Sequence, residues 1–374
     1  MDALLAAESF DELLTEWAEL FAADDRATPF QSAAWARAWS RHWSGKAEPW
    51  VLVVRDGQRL TGLLPLWSER VLGLRLLRAA GDPADYCDLL ARSDARDAVE
   101  AAVARELRRR DREWDALVLS ELPPDSTTAG AVERAGLRSA HHSVMRCPGL
   151  PLPDSFDAYL STLTSRRRTN LRRHMRYLDE GELELRLPAL EELPAAIERW
   201  QALRVRQWHA MGKRLIPAHA TPNFRNLLVD VVTELVPAGL ALVWEFVRGG
   251  VVVGSFVNFC DDHTFYQYLG AFDPEAGNYG IGKIATGEGI RSSIAAGRSY
   301  YDFTRGDEPH KYWFGAVDRL SPTVVFRGRR ARSVLAGRFG AVRGELSLVA
   351  DRVRPWKAAA GGLRNPSPGP GVAG

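Results

Sequence analysis

Tyr300–Gly315, YYDFTRGDEPHKYWFG, puts ionisable groups where chemistry could use them. A strand-like run, Tyr300-Tyr301-Asp302-Phe303, is followed by Arg305, Asp307, Glu308, His310 and Lys311, and the stretch closes on Tyr312-Trp313-Phe314-Gly315. Such a segment leaves a core as a strand, crosses an open face and re-enters on its aromatics. Alternation sends Tyr301 and Asp302 to opposite faces of the strand. Either the carboxylate at the strand end handles a proton, or the charges form a structural ion-pair loop in which Arg305 meets Asp307 and Glu308. His310, alone among these charges, is expected to be exposed.

Three other stretches bear on chemistry. YQYLGAFDPEAGNYGIGKIATGEGI, Tyr266 to Ile290, reads as a strand ending at Phe272, a loop with Asp273, Pro274, Gly277, Gly280 and Gly282, and a helix from about Ile281 with Lys283 near its start. Glycines let a backbone approach a ligand, and the free N–H groups of a helix start suit a phosphate. The P-loop string is absent, and a turn that merely needs glycine reads the same way. SRRRTNLRRHMRYLDEGELE, from Ser165, has an apolar stripe of Leu171, Met175 and Leu178. Arg166, Arg167, Arg168, Arg172, Arg173 and Arg176 cover most of the rest, either as a solvated face or facing an anion: a phosphorylated cofactor, an acidic surface or RNA. No aromatics interleave, which disfavours RNA. Asp82, Asp85, Tyr86 and Asp88 form an acidic loop that would attract a cationic amine or simply face solvent; without His or Cys company it suggests no metal.

The elements that must position these residues come in two similar series. Helices near Asp11–Phe21 and Trp35–Trp43 precede two β-rich runs flanking Arg55-Asp56-Gly57, then a strand ending near Gly81 and a helix–strand–helix–strand succession to Leu150. Helices over Ser155–Leu178 and Leu190–Met211 then precede β-rich runs flanking Arg248-Gly249-Gly250, a third strand, a helix over Ile281–Ala296 and a fourth strand. Gly62 and Gly254 recur at matching places in the second strand of each hairpin. The order predicts an α/β protein of two copies of one unit joined near Pro151-Leu152-Pro153, spanning residues 1–150 and 151–330. A basic helical segment and a disordered Pro/Gly tail are expected over 331–374.

This order resembles the GNAT N-acyltransferases: two tandem GNAT-like domains, each a mixed, mainly antiparallel sheet flanked by helices, similar to FemAB/FemX and closer to BioF2-like proteins of the CelD (BcsL) type. The residues that carry it are Tyr301-Asp302-Phe303-Thr304-Arg305-Gly306 with Lys311-Tyr312-Trp313-Phe314-Gly315, the run Arg172–Gly181, and Asp82–Asp88. Asn278-Tyr279-Gly280-Ile281-Gly282 meets the family's pyrophosphate signature only in part. The resemblance implies an acyl donor between the strands Tyr266–Phe272 and Ser299–Phe303. Tyr268, Leu269, Gly270 and Phe272 would border it, and Gly280, Ile281, Gly282, Lys283, Arg168 and Arg172 would hold its phosphates. Asp302 would orient or deprotonate the nucleophile, Lys311 would serve as oxyanion donor or phosphate clamp, and Arg305 would stand beside them. Tyr301 or Tyr312 could protonate the thiolate. Asp85, Tyr86 and Asp88, with Tyr301, would line the acceptor side. The donor would be acyl-CoA (acetyl-CoA or longer) or the phosphopantetheine of an acyl carrier protein, and the acceptor a small-molecule or peptide amine. A Fem-like aminoacyl-tRNA-dependent transferase and a non-catalytic scaffold in polysaccharide or natural-product biosynthesis remain open.

Composition sets the bounds. The 374 residues suggest more than one domain, 46% hydrophobic and 26% charged residues are ordinary globular values, and a formal charge of +2 argues against bulk DNA binding. Cys87, Cys147 and Cys260 have neither zinc nor disulfide spacing. The acidic N-terminus is unlike a signal peptide and no apolar run approaches a membrane span, so a cytoplasmic location is expected.

Overall fold

The computed structural model describes residues 3–5, 10–79, 83–212 and 217–330; the expected basic segment and tail, and Asp82, lie outside them. The first series is β1 (Ala3–Leu5), α1 (Phe10–Ala22), α2 (Ala33–His42), β2 (Glu48–Asp56), β3 (Arg59–Val71), β4 (Leu74–Ala79), β5 (Leu90–Ala91), α3 (Arg96–Arg109), β6 (Ala116–Leu119), α4 (Thr128–Arg134) and β7 (Arg138–Pro151). The second is α5 (Phe156–Thr162), α6 (Ser165–Asp179), β8 (Glu184–Arg186), α7 (Leu193–Ala210), α8 (Pro222–Leu235), β9 (Ala241–Arg248), β10 (Val251–Cys260), β11 (Thr264–Phe272), α9 (Ile281–Ala295), β12 (Tyr300–Asp302), α10 (Pro309–Trp313) and β13 (Val317–Arg327). The helix expected from Ser155 is two helices. Thr164 is extended (ψ 150°), and its side chain accepts from Arg167 N, ending one helix and capping the next.

One mixed sheet runs through both series in the order β1-β2-β3-β4-β6-β13-β7-β12-β11-β10-β9-β8. Most neighbours are antiparallel; β4–β6 and β11–β12 are parallel. The two series thus share one plan, and they are interlocked. β7, which ends the first series, pairs with β12 and β13, and β13 lies between β6 and β7. The hairpin glycines are equivalent in space. Gly62 and Gly254 both sit at register shifts. A Cβ on Gly62 would stand 2.1 Å from a Val99 methyl of α3, and one on Gly254 2.6 Å from an Ile281 methyl of α9. Each glycine therefore lets the central helix of its half lie close on the sheet.

Around the second series the sheet is covered on both faces. Leu171 and Met175 of α6 pack with Ile284 and Ile290 of α9 on Phe256, Phe265 and Tyr301. Trp200 of α7 and Phe224 of α8 pack in another cluster with Val257, Phe259, Leu269 and Ala271. That cluster continues into the first series through Trp35, Trp39 and Tyr86, so its apolar core crosses between the halves.

Candidate active site

β11 and β12 are paired only over Thr264–Tyr266 against Tyr300–Asp302. Beyond the Tyr266–Asp302 pair, Gln267–Phe272 continue without β12, so the parallel ladder opens into a gap. Tyr268, Leu269, Gly270 and Phe272 all lie on this unpaired length. Thr304 closes the apex: its hydroxyl lies 3.3 Å from the Gln267 carbonyl. Thr304 is left-handed at φ 55°, an uncommon state for a β-branched residue.

α9 begins at the far end of β11. Gly280, its cap, has φ 67°, and a Cβ there would stand 2.8 Å from the His174 ring. Both facts demand glycine at 280. A Cβ on Gly282 would meet only Phe272, at 3.6 Å, so that position is open. Lys283 Nζ is 3.2 Å from Asn170 Oδ1 and 5.3 Å from the Trp313 ring centroid. α6 lies alongside, with His174 Nδ1 2.9 Å from the Tyr279 carbonyl. Burial, then the fields of Lys283 and Arg173, hold His174 below its usual pKa. Arg172 pairs with the exposed Asp157 at 3.2 Å. Arg166, Arg168, Arg173 and Arg176 have no carboxylate partner among the described residues.

Asp302 is buried at the apex of the gap. Tyr86 Oη donates to both carboxylate oxygens (3.0 and 3.1 Å), and Thr304 N donates to Oδ1 at 2.6 Å. Burial pushes its pKa up to about 6 against the pull of these hydrogen bonds. Tyr86 is raised well above the usual phenol range, by burial first and then by the charge of Asp302. The acidic loop is therefore not a solvent loop: Asp85, Tyr86 and Asp88 are all buried. Asp88 faces another way. Its side chain accepts from Leu89 N and its carbonyl from Gln31.

Arg305 does not pair with Asp307 or Glu308 as expected. Its guanidinium crosses to the first half, with Nε 3.0 Å from Asp85 and Nη1 2.6 Å from Glu121. Glu308 instead meets Lys311 at 3.0 Å. The buried Lys311 ammonium also donates to the carbonyls of Thr304, Arg305 and Gly306 (3.3, 2.6 and 3.0 Å). Its protons are thus committed to holding the loop, in place of the expected contact with an oxyanion or phosphate. Tyr301 is fully buried on the α9 side, stacked on Phe265 at 5.1 Å, and its hydroxyl donates to Gln267 Oε1. It therefore offers no surface to an acceptor or a thiolate. Tyr312 Oη is used on Asp318, and His310 is exposed.

Sequence reasoning missed Glu121. It is left-handed (φ 51°), as are Tyr86 and Thr304. Three of the four described non-glycine residues with positive φ therefore meet at Asp302 and Arg305. Conformations of this cost gather at working sites. Ser120-Glu121-Leu122 has no Gly, Asn or Asp to announce a left-handed residue.

This arrangement is that of an acyltransferase fold, and comparisons with known proteins agree. Residues 165–312, from α6 through most of α10, match the acetyltransferase (GNAT) domain family. Among solved structures it is similar to FemX (TM-score 0.62, 10% identity, covering 87% of this chain and 97% of that one). It is also similar to the C-terminal domain assigned to a lysylphosphatidylglycerol synthetase of Agrobacterium fabrum (TM-score 0.56, 10% identity, 91% and 98%). A conserved protein of unknown function from Bacteroides thetaiotaomicron is a third such structure (TM-score 0.53, 13% identity, 86% and 99%). At these identities the likeness is one of fold. No curated protein matches the sequence. Among the described residues no group of three or more His, Cys, Asp or Glu could hold a metal, and no helix is long and apolar enough to cross a membrane.

Proposed function

We propose that the protein is an N-acyltransferase that takes an acyl group from acyl-CoA, or from a carrier-borne phosphopantetheine, and passes it to an amine entering between the halves. The observation that carries this reading is the opening of β11 from β12 immediately after the Tyr266–Asp302 pair. The thioester lies along Gln267–Phe272, whose backbone groups have lost their β12 partners. The donor's phosphates meet the free N–H groups at the start of α9, with Lys283 beside them. The amine nitrogen attacks the thioester carbon, the N–C bond forms, the C–S bond breaks and the thiol leaves. The amine's surplus proton passes to Asp302 through the Tyr86 hydroxyl and on to solvent, and the departing thiolate takes up a proton from solvent to leave as the thiol. A carboxyl with a pKa of about 6 is mostly ionised at neutral pH and can accept it. Arg305 and Lys311 position the loop that carries Asp302 and Thr304.

Calorimetry with acetyl-CoA and longer acyl-CoAs on the full chain tests the donor site. Binding that survives Gly282→Trp sinks it, because a large side chain there obstructs the start of α9. A second reading, an aminoacyl group delivered on tRNA, draws support from the unpaired arginines of α6 beside that start. Steady turnover with aminoacyl-tRNA and none with any acyl-CoA would replace the first reading with the second.

A further inference from the structure

Arg204, beside the gap, has no ion-pair partner among the described residues; the charge of Glu308, itself bonded to Lys311, reaches it without pairing. Arg204, on α7, reaches the unpaired length of β11, where its Nη1 donates to the Gly270 carbonyl at 3.1 Å. Its guanidinium lies 4.8 Å over the Trp208 ring. Nε is buried without an acceptor, and no carboxylate pairs with it among the described residues. The carboxylate whose charge reaches it, Glu308, is bonded to Lys311, and Asp85 and Glu121 are bonded to Arg305. Two further buried polar atoms without partners, Gln207 Oε1 one turn along α7 and His219 Nδ1, lie in the same layer. His219 is stacked on Phe224, and burial first, then the charges of Arg204 and Arg305, bring its pKa down to about 3. Burial brings Arg204 itself down to about 10. A guanidinium left so dehydrated and unpaired is costly in the empty protein.

Arg204 stands on the α7 face of the sheet, away from α9, and so on the side left for the acceptor. Asp302, at the apex of the gap, is the complementary case: a buried carboxylate whose close partners are a hydroxyl and an amide. We infer that Arg204 is the acceptor-specificity residue, binding a carboxylate carried by the amine substrate while the amine itself lies toward Asp302. This rests on the acyltransferase reading for which end of the acceptor reacts. With one Nη on Gly270, the Nε–Nη2 edge is left to form the paired hydrogen bonds that carboxylates accept. Gly270 lies four residues along β11 from the partner of Asp302, about 13 Å at strand rise. Allowing about 3 Å for a hydrogen bond at each end leaves roughly 7 Å between amine and carboxylate. The acceptor class is thus an amino acid with a spaced amine, or a short peptide, rather than an amino sugar.

The test is calorimetry on the full chain with 6-aminohexanoate, 6-aminohexanamide and hexylamine, which needs no donor. The wild-type protein should bind the acid at least 10-fold more tightly than the amide or the amine. Arg204→Gln should bind all three alike and melt at the same or a higher temperature, because an unpaired buried charge has gone. Arg204→Lys, which keeps the charge without the fork, should retain only part of the preference. Equal binding of acid and amide by the wild type, a preference that persists in Arg204→Gln, or a lower melting temperature for Arg204→Gln overturns the inference. Carboxylate selectivity with no acylation of any amine would leave this site standing and remove the acyltransferase reading alone.

Discussion

The two halves follow one plan and differ where chemistry would occur. Each half pairs a strand with a parallel neighbour over three residues, β4 with β6 and β11 with β12, and in the second half β11 runs on six residues past its last such pair. Two residues beyond each parallel partner the chain turns left-handed, at Glu121 and at Thr304. The residue two before the turn is Leu119 in one half and Asp302 in the other. The start of α3 has Arg96 bound to the buried Asp24, with Asp25, Asp94 and Asp97 around it. The start of α9 has Gly280, Gly282 and Lys283. One half thus has an acidic helix start, and the other has two glycines and a lysine at the equivalent place. A duplicated frame can spend one copy on support: Asp85, Tyr86 and Glu121 of the first half hold Asp302 and Arg305 of the second.

The comparison breaks most sharply at the helix starts. Gly282→Trp should abolish acyl-CoA binding in calorimetry, while Asp97→Trp at the second position of α3 leaves it unchanged; loss in both, or in neither, would erase the distinction. Next comes the loop clasp that follows the second left-handed turn. Lys311→Met leaves three carbonyls and Glu308 without their cation and should cost about 3 kcal/mol or more in urea unfolding. Unchanged stability with lost turnover would return Lys311 to direct catalysis. Asp302→Asn should lower turnover about 100-fold. In the wild type, kcat/KM should fall as pH drops through about 6, and the variant should lose that limb. The stability sign is opposite to that of a salt-bridged acid. Between about pH 4 and 6 folded Asp302 keeps a proton that the unfolded chain releases, so its contribution declines as pH rises, and Asp302→Asn should flatten that slope. The smallest effect belongs to α6. Arg168→Gln with Arg172→Gln should shift stability by about 0.5 kcal/mol or less, since Arg172 holds only an exposed pair. Donor affinity should weaken a few-fold and lose salt dependence.

Much of the frame could be read from residue order. The paired hairpins, their matching glycines, the helix at Ile281 and the strand ending at Asp302 all follow from local patterns, because turn residues and apolar periodicity act over a few positions. The interlock could not: nothing in Val317–Arg327 says that it will lie beside Ala116–Leu119. For the same reason the charges of the opening stretch were paired with neighbours in sequence, when Arg305 finds its partners about 184 and 220 residues away, at Glu121 and Asp85. Spacing reveals which side chains carry charge, but only the assembled sheet decides which of them meet. Lys311 shows the limit: a lysine that clasps backbone carbonyls and one that steadies an oxyanion look the same in a string of letters.

The insertion of β13 between β6 and β7 also sets a timetable for synthesis. While the ribosome is still making the second half, β6 presents an edge whose antiparallel partner does not exist until Val317–Arg327 have been made. β7 waits likewise for β12 and β13. The first half therefore emerges as a partial sheet with exposed hydrogen-bonding edges, open to pairing with another nascent chain. A stop codon shortly before residue 317 would strand both halves, so the completed fold is certified by the last strand among the described residues.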